Sequence, residues 1–331
     1  MTDLISTLTE NILRNDLYRI DRETALRLAA IPDSALPDLV SGASRIRRKF
    51  VGDAVFTCTI LNAKSGRCSE NCAFCAQSGH FETRVATYPL LSREAMVTQA
   101  LEMADAGITN FSMVTSGFRL TEAELDTICE TAAEIRRRTG LRLCCSIGVV
   151  DRPGATKLVQ AGITHYHHNL ETARSFFDTI CTTHQYDEDI ASIRTAAEAG
   201  LTVCAGGIFG LGEKWGQRIE LALTLREIGV RRVPLNFIHP IAGTPLAHRP
   251  LLSPMEALKC IALFRYLLPD ADITICGGRE VTLRDYRSWI FLAGANGIMT
   301  GNYLTTLGRD IRADLAMIAD WQSCCQNSPR D

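Results

Sequence analysis

Residues 92–116 read SREAMVTQALEMADAGITNFSMVTS, and they hold one complete folding unit. Ser92 is placed to cap a helix over residues 92–106, and the Glu94 carboxylate in its first turn complements the helix dipole. Gly107 follows Asp105-Ala106, where a glycine tolerates the left-handed conformation that closes a helix. A β-rich run, 111–116 (FSMVTS), comes next. The same punctuation recurs at Gln160-Ala161-Gly162, Glu198-Ala199-Gly200 and Glu227-Ile228-Gly229. Strands are expected at 55–61, 111–116, 142–148, 164–170, 202–208, 233–239, 272–276 and 296–300, with amphipathic segments between them. Repeated βα units of this kind predict an α/β chain folded as a (β/α)8 TIM-type barrel, with its active site at the carboxyl ends of the strands. An open doubly wound sheet is the rival. No Gly-x-Gly-x-x-Gly follows an early strand, and polar residues cluster at many strand ends rather than at one switch point. The division expected is a helical extension over 1–50, the barrel over 51–320 and a tail over 321–331 carrying Cys324 and Cys325.

The chain has 331 residues, 46% hydrophobic and 22% charged, enough to bury one large core or two modest ones, and one domain is the expectation. A formal net charge of −2 gives no global basic field, so no nucleic-acid partner is expected. The basic stretch Arg45-Ile46-Arg47-Arg48-Lys49 reads as a solvated helix end. The first residues lack a basic region followed by an apolar one, and no uncharged run approaches the roughly 20 residues of a membrane span. A cytoplasmic protein without membrane contact is the expectation. Thirteen cysteines there imply metal binding, catalysis or burial rather than disulfides.

Residues 67–78, RCSENCAFCAQS, place Cys68, Cys72 and Cys75 just after the first strand, with no fourth ligand nearby. Structural zinc sites are closed by four ligands, whereas iron–sulfur clusters prefer thiolates and can leave one iron open. The spacing Cys-x3-Cys-x2-Cys resembles the signature of the radical S-adenosylmethionine enzymes. By that resemblance the three thiolates hold a four-iron, four-sulfur cluster whose open iron is chelated by S-adenosylmethionine, with Phe74 beside the adenine.

Further motifs narrow the resemblance: LNAKSGRCSENCAFCAQS, YHHNLET, VCAGGIFGLGE, PLNFIHPIAGTPL, GGRE and GNYLTTLGRD together are similar, in order, to the biotin synthase family. The family implies hydrogen abstraction from two carbons of dethiobiotin and sulfur insertion between them. It also implies an electron donor such as flavodoxin or ferredoxin, and dependence on iron–sulfur assembly machinery. A homodimer is among the assemblies left open. Asn169 and Glu171 alternate onto one face of the fourth strand end. The resemblance makes them ligands of the cofactor, with Glu171 where an aspartate is usual, and puts His167 against the substrate where an asparagine is common. His168 faces the other way, as a structural histidine. Gly207 and Gly210 permit close approach of adenine or ribose, though a tight loop explains them equally well. Asn236 matches the residue that hydrogen-bonds the ureido ring.

The family also implies an auxiliary, sulfur-donating cluster, commonly a two-iron one held by three cysteines and an arginine. Cys144, Cys204 and Arg279 match three of those positions. Ser112 stands where the remaining cysteine is expected, and Asn110 where an arginine is usual. Cys276 lies three residues before Arg279 and supplies a thiol the pattern lacks, so a variant four-iron cluster on Cys144, Cys204 and Cys276 competes with the two-iron type. Cys145 should face outward if Cys144 faces inward. Cys58, Cys129, Cys181 and Cys260 read as small buried hydrophobes. The rivals are a hydrogenase-cofactor maturation or methylornithine synthase type of the same branch, and a non-catalytic metal-binding scaffold, which would need a fourth local ligand.

Overall fold

The computed structural model describes residues 2–326. Three helices, α1 (Thr2–Arg14), α2 (Arg22–Ala29) and α3 (Leu36–Val51), precede the sheet. Their apolar stripes, including Ile12, Leu28, Leu39 and Ile46, are buried in the main core. Arg47 corrects the reading of a solvated helix end. It is buried, donating to Gly52 O and Asp53 Oδ1 and lying 5.0 Å from the Trp321 ring centroid, while Arg45, Arg48 and Lys49 stay exposed.

The strands are β1 (Phe56–Lys64), β2 (Asn110–Thr115), β3 (Arg142–Ser146), β4 (His165–His167), β5 (Thr202–Cys204), β6 (Gly207–Phe209), β7 (Arg232–Phe237), β8 (Asp272–Ile275) and β9 (Gly297–Met299). All eight expected strands are present, and every pairing is parallel. β1 joins β2 on one side and β9 on the other, and β5 reaches β7 through Cys204 and Arg232, so the sheet closes into an eight-staved barrel. The fifth stave is broken where one strand was expected. β5 and β6 are its halves, separated by Ala205-Gly206, where the register continues but the facing residue on β7 is Pro234, which has no N–H to donate to the ladder. A Cβ on Gly206 would lie 1.9 Å from Pro234 O.

Strand residues alternate between helices and interior. Phe111, Met113, Leu143, Cys145, Tyr166, Val233, Leu235 and Ile273 face outward into the core beneath the helices. Cys145 therefore lies as expected. The helix that opened the sequence reading runs Arg93–Asp105, with Ser92 Oγ accepting from Ala95 N. A final helix, Ile311–Gln326, crosses the boundary drawn at residue 320 and carries exposed Cys324. The side chain of Cys325 and residues 327–331 lie outside the described residues. Among the described residues, no helix is long and apolar enough to cross a membrane.

Candidate active site

The three-cysteine loop is set by the backbone that leaves β1. Gly66 and Arg67 take φ of 77° and 51°, turning the chain back over the barrel mouth. Cys68 N then donates to Gln77 O, Cys75 N to Cys72 O, and Gly79 N to Cys68 O at 2.7–2.9 Å. This brings Cys68, Cys72, Cys75 and Phe74 to the rim of one cavity of about 430 Å³ running down the barrel axis. Three half-buried thiols on one ordered loop suit iron–sulfur ligation, and burial pushes Cys75 up to about 11 until a metal ionises it.

Behind the loop stands a cluster that the sequence reading missed. Cys181, expected to be a plain buried hydrophobe, places its Sγ 3.8 Å from Cys72 Sγ and within hydrogen-bond reach of His184 and Thr183. His184 contacts Glu70 at 2.6 Å and Asp189 at 3.4 Å. Against the cost of burial, Asp189, Cys181 and Glu70 raise His184 to about 11. Cys181 does not line the cavity, whereas Glu70, His184 and Asp189 do. Their sequence separation hid them; only the packing of the cysteine loop on the segment 180–184 joins them.

On the cavity wall, Asn169 Nδ2 donates to Glu171 Oε2 at 3.3 Å and its Oδ1 accepts from Gly206 N. Glu171 is buried enough to be pushed up to about 8, so near neutrality it carries a proton and can donate. His167 faces in beside Ser146 Oγ at 3.1 Å, and burial lowers it to about 4, leaving a neutral ring. His168 stacks on Tyr166 and bonds Asp189 at 2.7 Å, yet it also lines the cavity, a correction to the expectation that it faces away: the chain leaves the extended conformation after His167, so strand parity no longer holds there. Asn236 Oδ1 accepts from Gly277 N at 2.9 Å, which turns its amide N–H groups toward the cavity and Gly207 O. Gly207 and Gly210 do not line the cavity. A Cβ on Gly207 would meet Glu171 O at 2.5 Å, and Gly210, at φ 94°, would meet Ile238. Both serve chain packing.

Deep in the same cavity lie Cys144, Cys204 and Cys276, together with Ser112. Cys58 corrects the expectation of a buried hydrophobe, for it also lines this cavity and is not part of the hydrophobic core. Burial, and the thiol of Cys144 after it, pushes Cys58 up to about 12. Ser112 Oγ has no hydrogen-bond partner. Arg279 is not in the cavity lining. Its guanidinium is fully buried against Asp314, Glu280 and Tyr303. The cation that does enter the barrel is Arg232, another residue the sequence reading passed over. It donates to Asn110 Oδ1 at 3.4 Å, pairs with Asp272 at 3.3 Å and lies 4.7 Å from the Phe56 ring centroid. Its signal was parity, since 232, 234 and 236 alternate onto the same inward face. A soft, thiol-rich donor set of this kind fits a second iron–sulfur group.

A closed parallel barrel with three thiols on the loop after its first strand, opening on one axial cavity, defines the radical S-adenosylmethionine class. Residues 63–225 match the family model of the Radical SAM superfamily, and residues 234–323 match the Biotin and Thiamin Synthesis associated domain. Biotin synthase of Syntrophus aciditrophicus is 52% identical over 95% of this chain and 97% of its own length. That of Geobacter metallireducens is 48% identical over 98% and 100%. The chain belongs to the biotin synthase family. In fold it is similar to methylornithine synthase (TM-score 0.81, 20% identity, 96% of each chain) and to a maturase of the FeFe-hydrogenase (0.81, 17%, 97% of this chain and 75% of that one). At those identities the likeness is one of fold.

Proposed function

We infer that this chain is a biotin synthase, a radical S-adenosylmethionine enzyme that inserts sulfur into dethiobiotin. The observation that carries the reading is a single cavity joining the three-thiol loop at its mouth to a second set of thiols at its depth. Side-chain acids and bases cannot break an unactivated C–H bond at neutral pH, so a cofactor must supply the reactivity and the protein position and shelter it. When bound, the cluster with S-adenosylmethionine supplies a 5′-deoxyadenosyl radical able to take hydrogen from such carbons.

Cys68, Cys72 and Cys75 would hold that cluster and leave one iron for the amino and carboxylate groups of S-adenosylmethionine. Asn169 and the protonated Glu171 would hold the nucleoside, with Phe74 packed on its base and Gly207 and Gly210 shaping the wall behind. Asn236 would donate to the ureido carbonyl, and neutral His167 would offer the substrate a hydrogen bond without a charge. The closed barrel wall would shelter the reacting carbons from water. For the sulfur donor, a variant cluster on Cys144, Cys204 and Cys276 is preferred to the common two-iron type, with Arg279 acting on its surroundings rather than as a ligand. Support comes from the chemistry of position 112, where a serine hydroxyl is a hard and rare iron ligand, and from the ion pairs that occupy Arg279. A cytoplasmic location, an electron donor of the flavodoxin or ferredoxin kind, rebuilding by iron–sulfur assembly machinery and a homodimeric state complete the proposal.

The test is anaerobic turnover of the reconstituted protein with dethiobiotin, reductant and S-adenosylmethionine. Biotin or its thiolated precursor is expected. Formation of 5′-deoxyadenosine without either product would shift the reading to another activity of the same branch.

A further inference from the structure

We propose that Cys58 is a thiolate ligand of the auxiliary cluster, completing a four-thiolate set with Cys144, Cys204 and Cys276. The proposal rests on the biotin synthase reading and assigns a residue that neither the three-cysteine motif nor the expected auxiliary pattern contains.

The strand register carries the argument. Alternate staves of a closed parallel barrel contribute inward side chains in layers of four. Cys58 on β1 is level with Asn110 on β2, and Asn110 with Arg142 on β3; two residues on, Cys144 faces inward. Cys144 is level with His165 and His165 with Thr202, two residues before Cys204. Cys204 is level with Arg232 and Arg232 with Asp272, two residues before Thr274. Thr274 is level with Gly297 and Gly297 with Phe56, two residues before Cys58, where the ring closes. Cys58, Cys144, Cys204 and Thr274 therefore form one layer, and Cys276 stands directly above Thr274 on the same stave. The same steps put Ser112 in the next layer up, with His167, Pro234 and Met299.

The surroundings of Cys58 are those of a ligand. Its side chain is open to the cavity, and its thiol reaches nothing better than its neighbour's carbonyl, Thr59 O, at 3.9 Å. Cys145 and Cys260, by contrast, are fully packed in the hydrophobic core. Directly below the thiol layer comes Arg232, the one guanidinium among the described residues that lines this cavity. A fixed cation beneath the thiols of Cys58, Cys144 and Cys204 offsets the negative charge that thiolate ligands bring, as second-layer charge does at metal sites generally. The serine that replaces an expected cysteine is then a bystander, and the lost thiolate is replaced by one from the first stave.

The experiment uses the full chain carrying Cys68→Ala, Cys72→Ala and Cys75→Ala, reconstituted anaerobically so that only the deep site holds iron. Iron, sulfide and Mössbauer spectra are then compared after adding Cys58→Ala, Cys58→Ser or Cys276→Ala, with circular dichroism to confirm folding. Cys58→Ala should cut deep-site iron at least twofold or create a distinct iron subsite. Cys58→Ser, nearly isosteric and able to fold if alanine does not, should shift one subsite toward oxygen ligation. Spectra unchanged by both Cys58 variants but altered by Cys276→Ala would overturn the role of Cys58 and leave the wider reading standing. Absence of iron from the parent triple variant, or indifference to Cys144→Ala and Cys204→Ala, would overturn the thiol-held auxiliary site itself.

Discussion

Glu171 sits at φ 59°, a region where a residue with a side chain is strained, and it is held there by Ile208 N donating to its carbonyl at 2.8 Å. That turn aims a carboxyl into the cavity, where burial raises it from 4.5 to about 8. The folded protein then binds a proton that the unfolded chain has released over that window, so stability must fall as pH rises from 4.5 to about 8. Glu171→Gln removes the titration, and the melting temperature of the metal-free variant should show a flatter pH dependence there. Parallel profiles for the two proteins would contradict the raised carboxyl. Cys72 poses a separate question at the same scale. It is half-buried in a loop rather than packed in a strand, so Cys72→Ala should leave the circular dichroism intact while 5′-deoxyadenosine production falls to background. Normal production by the reconstituted variant would remove Cys72 from the cluster.

The broken fifth stave shows how a strand can position a site by failing to continue. At Gly206 the chain passes so near Pro234 O that only a hydrogen fits, and the same residue's N–H holds the Asn169 side chain at 3.1 Å. Gly206→Ala must push β5 away from β7, and overpacking of this kind costs about 1–3 kcal/mol. The denaturation midpoint should drop accordingly, while Gly140→Ala, which would meet nothing within 4 Å, should leave it near the wild-type value. Equal midpoints for the two variants would mean that the stave adjusts freely.

Across the whole molecule, the barrel is tied to its last helix by one buried ion pair. Arg279, on the short helix after β8, meets Asp314 of the helix Ile311–Gln326, and both side chains are entirely out of solvent. Removing one partner of such a pair strands a buried charge, at about 3–5 kcal/mol. Asp314→Ala should therefore lower the stability of the apo-protein steeply. Iron bound at Cys68, Cys72 and Cys75 should be unaffected once the variant is folded, a combination readable from melting curves and iron content. Unchanged melting would mean that Glu280 and Tyr303 suffice for Arg279.

Local chemistry wrote much of this protein plainly into its chain. The cap at Ser92, the closing glycine at 107 and the strand after it are set within a few residues, so the βα repeat and its eight strands were legible, as was the three-cysteine loop. Parity along a strand is also local, and it correctly turned Cys145 out and Cys144 in. What was not legible is which inward residues share a level. Cys58 read as filler, and Arg232 drew no notice, because their neighbours come from strands tens to hundreds of residues away. Those neighbours are chosen by the register and closure of the barrel, which no single segment encodes. Cys181 and His184 were hidden for the same reason, since they meet Cys72 and Glu70 only after the two loops pack together. Arg47 was read from its basic neighbours, yet packing against Trp321 and Asp53 draws it inside. Segment identity follows from short-range preferences; depth and partnership follow from closure, which depends on the whole ring of strands at once.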